Sequence, residues 1–457
     1  MTVAALVAFT FCLVVGARNV VRTLQSIRWI ERESAPGPAP PKRERALTFL
    51  ILVPLLREQA IVERLLRRLE ALDRSAAADY RVAFVTTSRE AGAGASTAKV
   101  LDEALRNRGN PRFVHIQCDS GHDRSKADQL TFALGRLGLD GALDENVFVG
   151  TYDADSSPDP KTLRYIADRV RADPDLKAIQ QVPLYFQNVR DPGSVRELYL
   201  MTRPLHNALF ALTVEVPAMR RQPRVFAAPR RSLRRIFGGW LSHGLGHGQF
   251  FRLDLLSDFG GFRPPSCDTQ LGHALAFCGV PIHAHPMLDV GETPESATVL
   301  TRQGVVWFNS MNTFWQTKRF VERRADYQRL AAWPMMLKLV HSNIAWALYP
   351  PLFLLALVYA LASGQWLLAG YGIAAWAVYA LPVALILRRF DLWVRICRSF
   401  EPIGGLSRTS RAGIVLMFGV EKLGSCVSPY LWCWYALRGR LRRKPMTLHK
   451  TERAAAS

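Results

Sequence analysis

Nowhere in the 457 residues do the cysteines fall into a metal-binding spacing. The seven of them (Cys12, Cys118, Cys267, Cys278, Cys397, Cys426 and Cys433) are scattered and odd in number. That excludes a disulfide scaffold and fits a reducing compartment for the soluble part. Acidic residues are also scarce, 38 against 59 Lys and Arg, giving a formal charge of +21. Nucleic acid, anionic lipid and a phosphorylated substrate are the partners such a charge suits. Zinc-finger spacing, an RNP motif and a basic zipper are all missing, so nucleic acid is not expected. The N-terminus lacks the charge order of a cleavable signal: its apolar stretch precedes Arg18 and Arg22 instead of following them.

What is abundant is apolar sequence, 49% of the chain. Residues 1–24 read as a signal-anchor helix, outside at its start and cytoplasmic after Arg18, with an interfacial helix as the alternative because the apolar run is short for a span. Residues 25–46, rich in proline and charge, read as a linker. Residues 331–437 form a membrane region with two long uncharged stretches, 339–362 and 365–387, each sufficient for a bilayer of about 30 Å. Arg388, Arg389, Arg395 and Arg398 bring the chain back to the cytoplasm. A third stretch, 412–437, holds Glu421, Lys422 and Pro429, and both a single span and a re-entrant or interfacial hairpin remain open. Residues 438–457 are a basic tail. The basic residues thus sit beside apolar stretches, which points to membrane lipids as partners.

Between these flanks, residues 47–330 alternate apolar strands with helices. Strands are expected at 47–54, 80–85, 112–118, 146–151 and 178–183, with helices at 58–72, 97–106 and 126–137. That alternation indicates an α/β domain with a parallel sheet covered on both faces. Residues 195–235 read as helical, broken at several prolines, with an arginine-rich side that suits a membrane surface. A Gly-rich turn at 243–249 precedes a short strand at 250–252, a helix opening at Asp268, and a strand at 281–286.

The chemistry gathers around residues 146–160. An apolar strand there ends in Asp153-Ala-Asp155 before Ser156, Ser157, Pro158 and Pro160 stop it. Two carboxylates at the C-terminal edge of a strand lie where open α/β sheets bind ligands. Their hard oxygens suit Mg2+ or Mn2+ together with diphosphate oxygens; a turn with capping aspartates is the plain alternative. Pro54 with Arg57 and Glu58, Thr87 with Glu90, and Lys126 would converge on the same edge. Asp268 opens a helix, where an ionised carboxylate is favoured, and suits either general base or N-cap. Lys126 or Arg302 can add charge toward a diphosphate leaving group. His243, His247, His283 and His285 are candidate ligands, although a histidine in a turn is more often structural.

In order and spacing, these residues resemble the family 2 glycosyltransferases of GT-A fold, in their membrane-attached, cellulose- or hyaluronan-synthase-like branch. The resemblance covers residues 48–308. It rests on Val53-Pro54-x-x-Arg57-Glu58, on the segment from Lys126 to Leu134, and on Asp153-Ala-Asp155-Ser. It continues through Gly248-Gln249-Phe-Phe-Arg252 with Gly260-Gly-Phe262, then Asp268-x-x-Leu271-Gly272 and Gln303-x-x-Val306-Trp307. It implies a Rossmann-like mixed sheet and inverting transfer of a sugar from a nucleotide-diphosphate sugar, UDP-linked by analogy. The acceptor would be a lipid or growing polysaccharide at the cytoplasmic face of the inner (plasma) membrane. It assigns donor binding to Pro54, Glu58, Thr87, Glu90, Lys126, Asp153 and Arg302, metal to Asp153 and Asp155, and catalysis to Asp268. Gln303 and Trp307 would line the acceptor and diphosphate region. Three positions depart from the pattern. Thr86-Thr87-Ser88 replaces the usual acids after the second strand, Cys267 replaces the acid before Asp268, and Val306 replaces the arginine before Trp307. Those departures also admit a catalytically idle, glycosyltransferase-like membrane scaffold.

Overall fold

The computed structural model describes residues 1–34, 47–72, 78–90, 96–119, 121–122, 125–241, 244, 246–264, 266–397 and 403–441. The chain begins with helix α1 (Thr2–Glu33), then β1 (Leu47–Pro54), α2 (Val62–Glu70), β2 (Ala78–Thr87), α3 (Thr97–Arg108), β3 (Phe113–Cys118), α4 (Lys126–Arg136) and β4 (Val147–Thr151). Next come β5 (Ser157–Pro158), α5 (Thr162–Ala172), β6 (Ala178–Leu184), α6 (Val195–Phe210), α7 (Val216–Phe226) and α8 (Leu233–Gly238). They are followed by β7 (Gln249–Arg252), α9 (Leu253–Asp258), α10 (Cys267–Cys278), β8 (His283–Val290), α11 (Ala297–Met311) and α12 (Phe314–Val321). Five helices close the described chain: α13 (Arg329–Ala362), α14 (Trp366–Arg388), α15 (Phe390–Cys397), α16 (Arg408–Ser425) and α17 (Val427–Leu441).

The eight strands form one sheet in the order β3-β2-β1-β4-β7-β6-β8-β5. From β3 to β4 it is parallel, as the apolar runs predict. Beyond β4 it is mixed, because β7 runs antiparallel to both β4 and β6. One face is covered by α4, α9 and α10, whose Leu130, Leu256 and Leu275 pack on Leu52, Val85 and Val149. The opposite face is covered by α2, α3 and α5 through Leu66, Leu101 and Ile166. Both faces are therefore apolar, which is why the central strands read as continuous hydrophobic runs instead of alternating. The result is a mixed α/β domain flanked by long apolar helices, as expected.

Among the described residues, four helical stretches are long and apolar enough to cross a membrane: Thr2–Glu33, Arg329–Ala362, Trp366–Cys397 and Arg408–Gly439. α1 runs past residue 24, where the anchor was expected to end, and continues through Glu33 as one 32-residue helix. Its lower half packs on the α/β domain: Ile27, Trp29 and Ile30 join Val182, Leu288 and Leu209 in one core. Residues 35–46, the rest of the expected linker, and residues 442–457 of the basic tail lie outside the described residues. The 412–437 stretch is two helices meeting at Cys426. Prolines do not break the 195–226 region: Pro204 and Pro223 lie inside α6 and α7, and a π-helical turn (Ala211–Glu215) joins the two.

α1 and α14 approach so closely that a Cβ on Gly16 would sit 2.7 Å from the Tyr379 backbone nitrogen. Small residues at helix crossings permit such contact in an apolar medium. Gly16→Leu is accordingly expected to separate these helices and cost about 1–3 kcal/mol. Thermal unfolding of the detergent-solubilised protein checks this; an unchanged midpoint would contradict the packing.

Candidate active site

The parallel strands deliver their C-terminal ends to one edge. Tyr152 leaves β4 with its hydroxyl donating to Gln181 Oε1 at 2.8 Å. Asp153 and Asp155 follow, both half-buried. Ser156 locks the turn, since its Oγ accepts from the Asp153 amide and donates to Asp289 Oδ2. Lys126, at the first turn of α4, reaches across and donates to Asp153 Oδ1 at 2.6 Å and to the Gly246 carbonyl. Gly246 has φ +79°, and a Cβ there would lie 2.7 Å from Asp268 Oδ2. Only glycine fits a left-handed position pressed against that carboxylate. The Gly-rich turn therefore carries a carbonyl to Lys126 and brings Asp268 beside it. Burial favours the neutral amine of Lys126, but Asp153, with Cys267 and Asp268 nearby, outweighs it and the net shift is upward. The ammonium stays charged. Burial, with the Asp268 charge beside it, pushes the Cys267 thiol up to about 12. Cys267 is thus a neutral neighbour, not a substitute for the missing acid.

Asp268 lies in the first turn of α10, its Oδ1 accepting from the Thr269 amide at 2.8 Å. Oδ2 faces Gly246. On the far side of Asp155, its Oδ2 accepts from the Glu292 amide, and its carbonyl accepts from Arg68. Glu292 in turn pairs with Arg64 at 2.5 Å.

Glu90 and Glu58 sit at the β1 and β2 ends, both buried. Glu90 Oε1 accepts from the Arg57 amide at 2.7 Å, and Oε2 accepts from Gln59 and from both the amide and hydroxyl of Thr97. Glu90 thereby ties the β1 loop to the start of α3, and Arg57 is held there at φ +58°. The Glu58 amide donates to the Thr97 hydroxyl. Thr87 Oγ1 accepts from the Arg89 amide, and Pro54 ends β1. These residues are tied together at the ends of β1 and β2, with the Glu90 carboxylate engaged by protein donors. Arg302 is exposed on α11. Gln303, on the same helix, has its Oε1 buried with no hydrogen-bond partner among the described residues. Trp307 lies under the Arg203 guanidinium at 5.3 Å.

His247 and His285 take structural places. His285 accepts from the Met287 amide at Nδ1, its Nε2 lies 3.3 Å from the Thr162 carbonyl, and burial lowers it to about 3. His247 is buried, with Nδ1 2.5 Å from Asp289 Oδ2 and Nε2 3.0 Å from the Tyr185 hydroxyl. His283 lies on β8, and His243 is outside the described residues. Burial lowers the His247 pKa, Asp289 more than reverses it, and the group is raised to about 9. Its folded pKa exceeds the usual value of about 6.5. The pair's stabilisation is full below that value and lost as pH rises through about 9. In EDTA-containing buffer the unfolding temperature should fall between pH 7 and 10, and His247→Gln should flatten that slope. Parallel slopes would contradict the pairing.

Among the described residues no group of three His, Cys, Asp or Glu side chains gathers to hold a metal ion. Asp153 and Asp155 nevertheless suit Mg2+ or Mn2+, which commonly take one or two carboxylates and complete their shell with substrate phosphates and water.

Beside Asp268 a cavity of about 1690 Å³ opens between the sheet edge and the long apolar helices, lined also by Thr269 and Trp307. Several features of the wider site escape sequence reasoning: the Gly246 carbonyl, the Asp289–His247 pair and the Arg203–Trp307 contact. The lone Asp289 inside the apolar run Met287 to Val290 was the one available signal.

No protein-family model matches the chain, and no curated protein matches it. Among solved structures, it is similar to a mannosyltransferase from Pyrobaculum calidifontis in complex with GDP-Man and Mn2+. The identity is 16% over 93% of this chain and 99% of that one, with a TM-score of 0.45.

Proposed function

We propose that the chain is a membrane-attached, inverting glycosyltransferase of GT-A fold and family 2 type. It would move a sugar from a nucleotide-diphosphate sugar, UDP-linked by preference, to a lipid or growing polysaccharide. The catalytic domain would face the cytoplasm at the inner (plasma) membrane, where Arg388 and Arg389 follow a span. The observation that carries this reading is the Lys126 ammonium, which joins Asp153 to the Gly246 carbonyl directly beside Asp268. A cation, an acid pair and a separate carboxylate at one strand edge are the parts a nucleotide-sugar transfer needs.

Pro54, Glu58, Thr87 and Glu90 shape the nucleotide pocket, with Glu90 acting by holding its loops. Lys126, supported by Arg302, stabilises charge on the departing diphosphate. Asp153 and Asp155 would hold Mg2+ or Mn2+, which supplies further neutralisation of that charge. Asp268 takes the proton of the attacking hydroxyl. Gln303 and Trp307 orient acceptor and diphosphate. The test is mass spectrometry of products after membranes bearing the protein meet a panel of nucleotide sugars with Mn2+, Mg2+ or EDTA. A new glycosylated product that disappears in EDTA is expected. Neither donor consumption nor donor binding by calorimetry would identify an idle scaffold instead.

A further inference from the structure

The cavity beside Asp268 is strongly cationic. Eleven Lys and Arg side chains line it against four carboxylates. Four of them belong together. Arg18 and Arg22 on α1, Arg221 on α7 and Lys338 on α13 all face this space. Arg22 lies in the field of the like charges of Arg18 and Arg221, and Lys338 in that of Arg221. None of the four pairs with a carboxylate among the described residues. Two are steadied by backbone carbonyls instead: Arg22 donates to Thr213 at 3.0 Å and Lys338 to Gly239 at 2.8 Å. Like charges gathered on three elements without an internal counter-ion repel one another. An arrangement of this kind is relieved by a bound anion.

The same cavity has two further ends. Phe11 and Val15 on α1 and Leu337 on α13 line it with apolar groups from helices long enough to cross a membrane. At the sheet edge, Asp268 and Trp307 line it with the proposed base and an aromatic face. A carboxylate and an indole suit a hydroxylated ring more than a tail.

We propose that this cavity binds an anionic amphiphile as the acceptor: an apolar tail along α1 and α13, a phosphate held by Arg18, Arg22, Arg221 and Lys338, and a hydroxyl-bearing head at Asp268. This rests on the transferase reading and narrows its acceptor. The phosphate is a handle and not the nucleophile. A head-group hydroxyl oxygen forms the new bond to the anomeric carbon. The bond from that carbon to the donor diphosphate breaks, and its electron pair leaves with the nucleoside diphosphate. The hydroxyl proton passes to Asp268.

The probe is lysophosphatidylinositol, offered to full-length protein in phosphatidylcholine nanodiscs. Inositol monophosphate lacks the tail, and an alkyl glucoside lacks the phosphate. The lysolipid is expected to bind at least tenfold more tightly than either. Arg22→Gln with Arg221→Gln should lose tenfold or more, and Lys at both positions should recover most of it. Equal binding of inositol monophosphate would make this a plain anion site and overturn the proposal. Equal binding of the glucoside would overturn it too. Phosphate-dependent binding without sugar transfer to any acceptor would instead sink the transferase reading and leave the anionic-amphiphile site standing.

Discussion

Asp268→Asn is expected to lower kcat for sugar transfer by about 10²–10⁴, the range that a positioned general base supplies. In barrier terms that is about 3–5 kcal/mol. Structural and chemical roles separate cleanly here. Structurally, Asp268 is not the N-cap, which is Ser266; it sits in the first turn of α10 and its Oδ1 accepts from the Thr269 amide, a contact that an asparagine Oδ1 also makes. A purely structural Asp268 therefore predicts a stable and active variant. As a base, it must accept a proton, which an amide does not do at neutral pH. Donor binding should survive the exchange, because the Lys126–Asp153 pair and the β1 and β2 loops are untouched. Calorimetry with a nucleotide sugar checks binding, and steady-state product formation checks turnover. Near-native kcat in the variant would remove Asp268 from catalysis.

What the residues revealed without coordinates follows from the range of the forces involved. β1 to β4 were legible because each is a short apolar run bounded by turn residues, and their burial on both faces leaves no polar alternation to confuse them. β5 was not, since Ser157 and Pro158 read as a stop; proline survives there at the sheet's edge, paired only with β8. Pro204 and Pro223 likewise read as breaks. Leu200, Leu205, Leu209 and Leu212 pack into the core shared by α6, α14 and α16, and that burial outweighs the lost hydrogen bond of a proline inside α6. The antiparallel β7 was read as a short strand without a direction, because direction is set by partners distant in sequence.

The site divides along the same line. Asp153, Asp155 and Asp268 stand out locally, by spacing or by position before a helix. Their cooperation does not: Lys126 and Gly246 are 120 residues apart, and no periodicity encodes that hydrogen bond. Glu90 was read as a donor-binding residue from its place after the second strand; that its carboxylate takes four hydrogen bonds from Arg57, Gln59 and Thr97 was not legible. Its burial is a tertiary property. The cationic cavity required α1, α7 and α13 to be brought together, so the +21 charge announced an anionic partner without locating it.

Lys126→Met is expected to cost about 10²–10³ in kcat, comparable to losing one preorganised charge stabiliser. Methionine keeps the length and apolar stem of lysine, so the packing of α4 on β1 to β3 is retained. The ammonium contacts are what disappears. Asp153 then loses its 2.6 Å partner and the Gly246 carbonyl loses its donor. Two consequences follow from one substitution: less positive charge for the diphosphate, and a freer turn under Asp268. They are separable by leaving group. A glycosyl fluoride carries no diphosphate, so loss of leaving-group stabilisation should weigh far less on that donor than on a nucleotide sugar. Misplacement of Asp268 should weigh on both equally. We expect the nucleotide-sugar reaction to fall at least tenfold further than the fluoride reaction. The double variant Lys126→Met with Asp268→Asn should lose close to the product of the two single losses if the groups act on opposite sides of the anomeric carbon. A loss no larger than that of Asp268→Asn alone would mean Lys126 serves only to position Asp268.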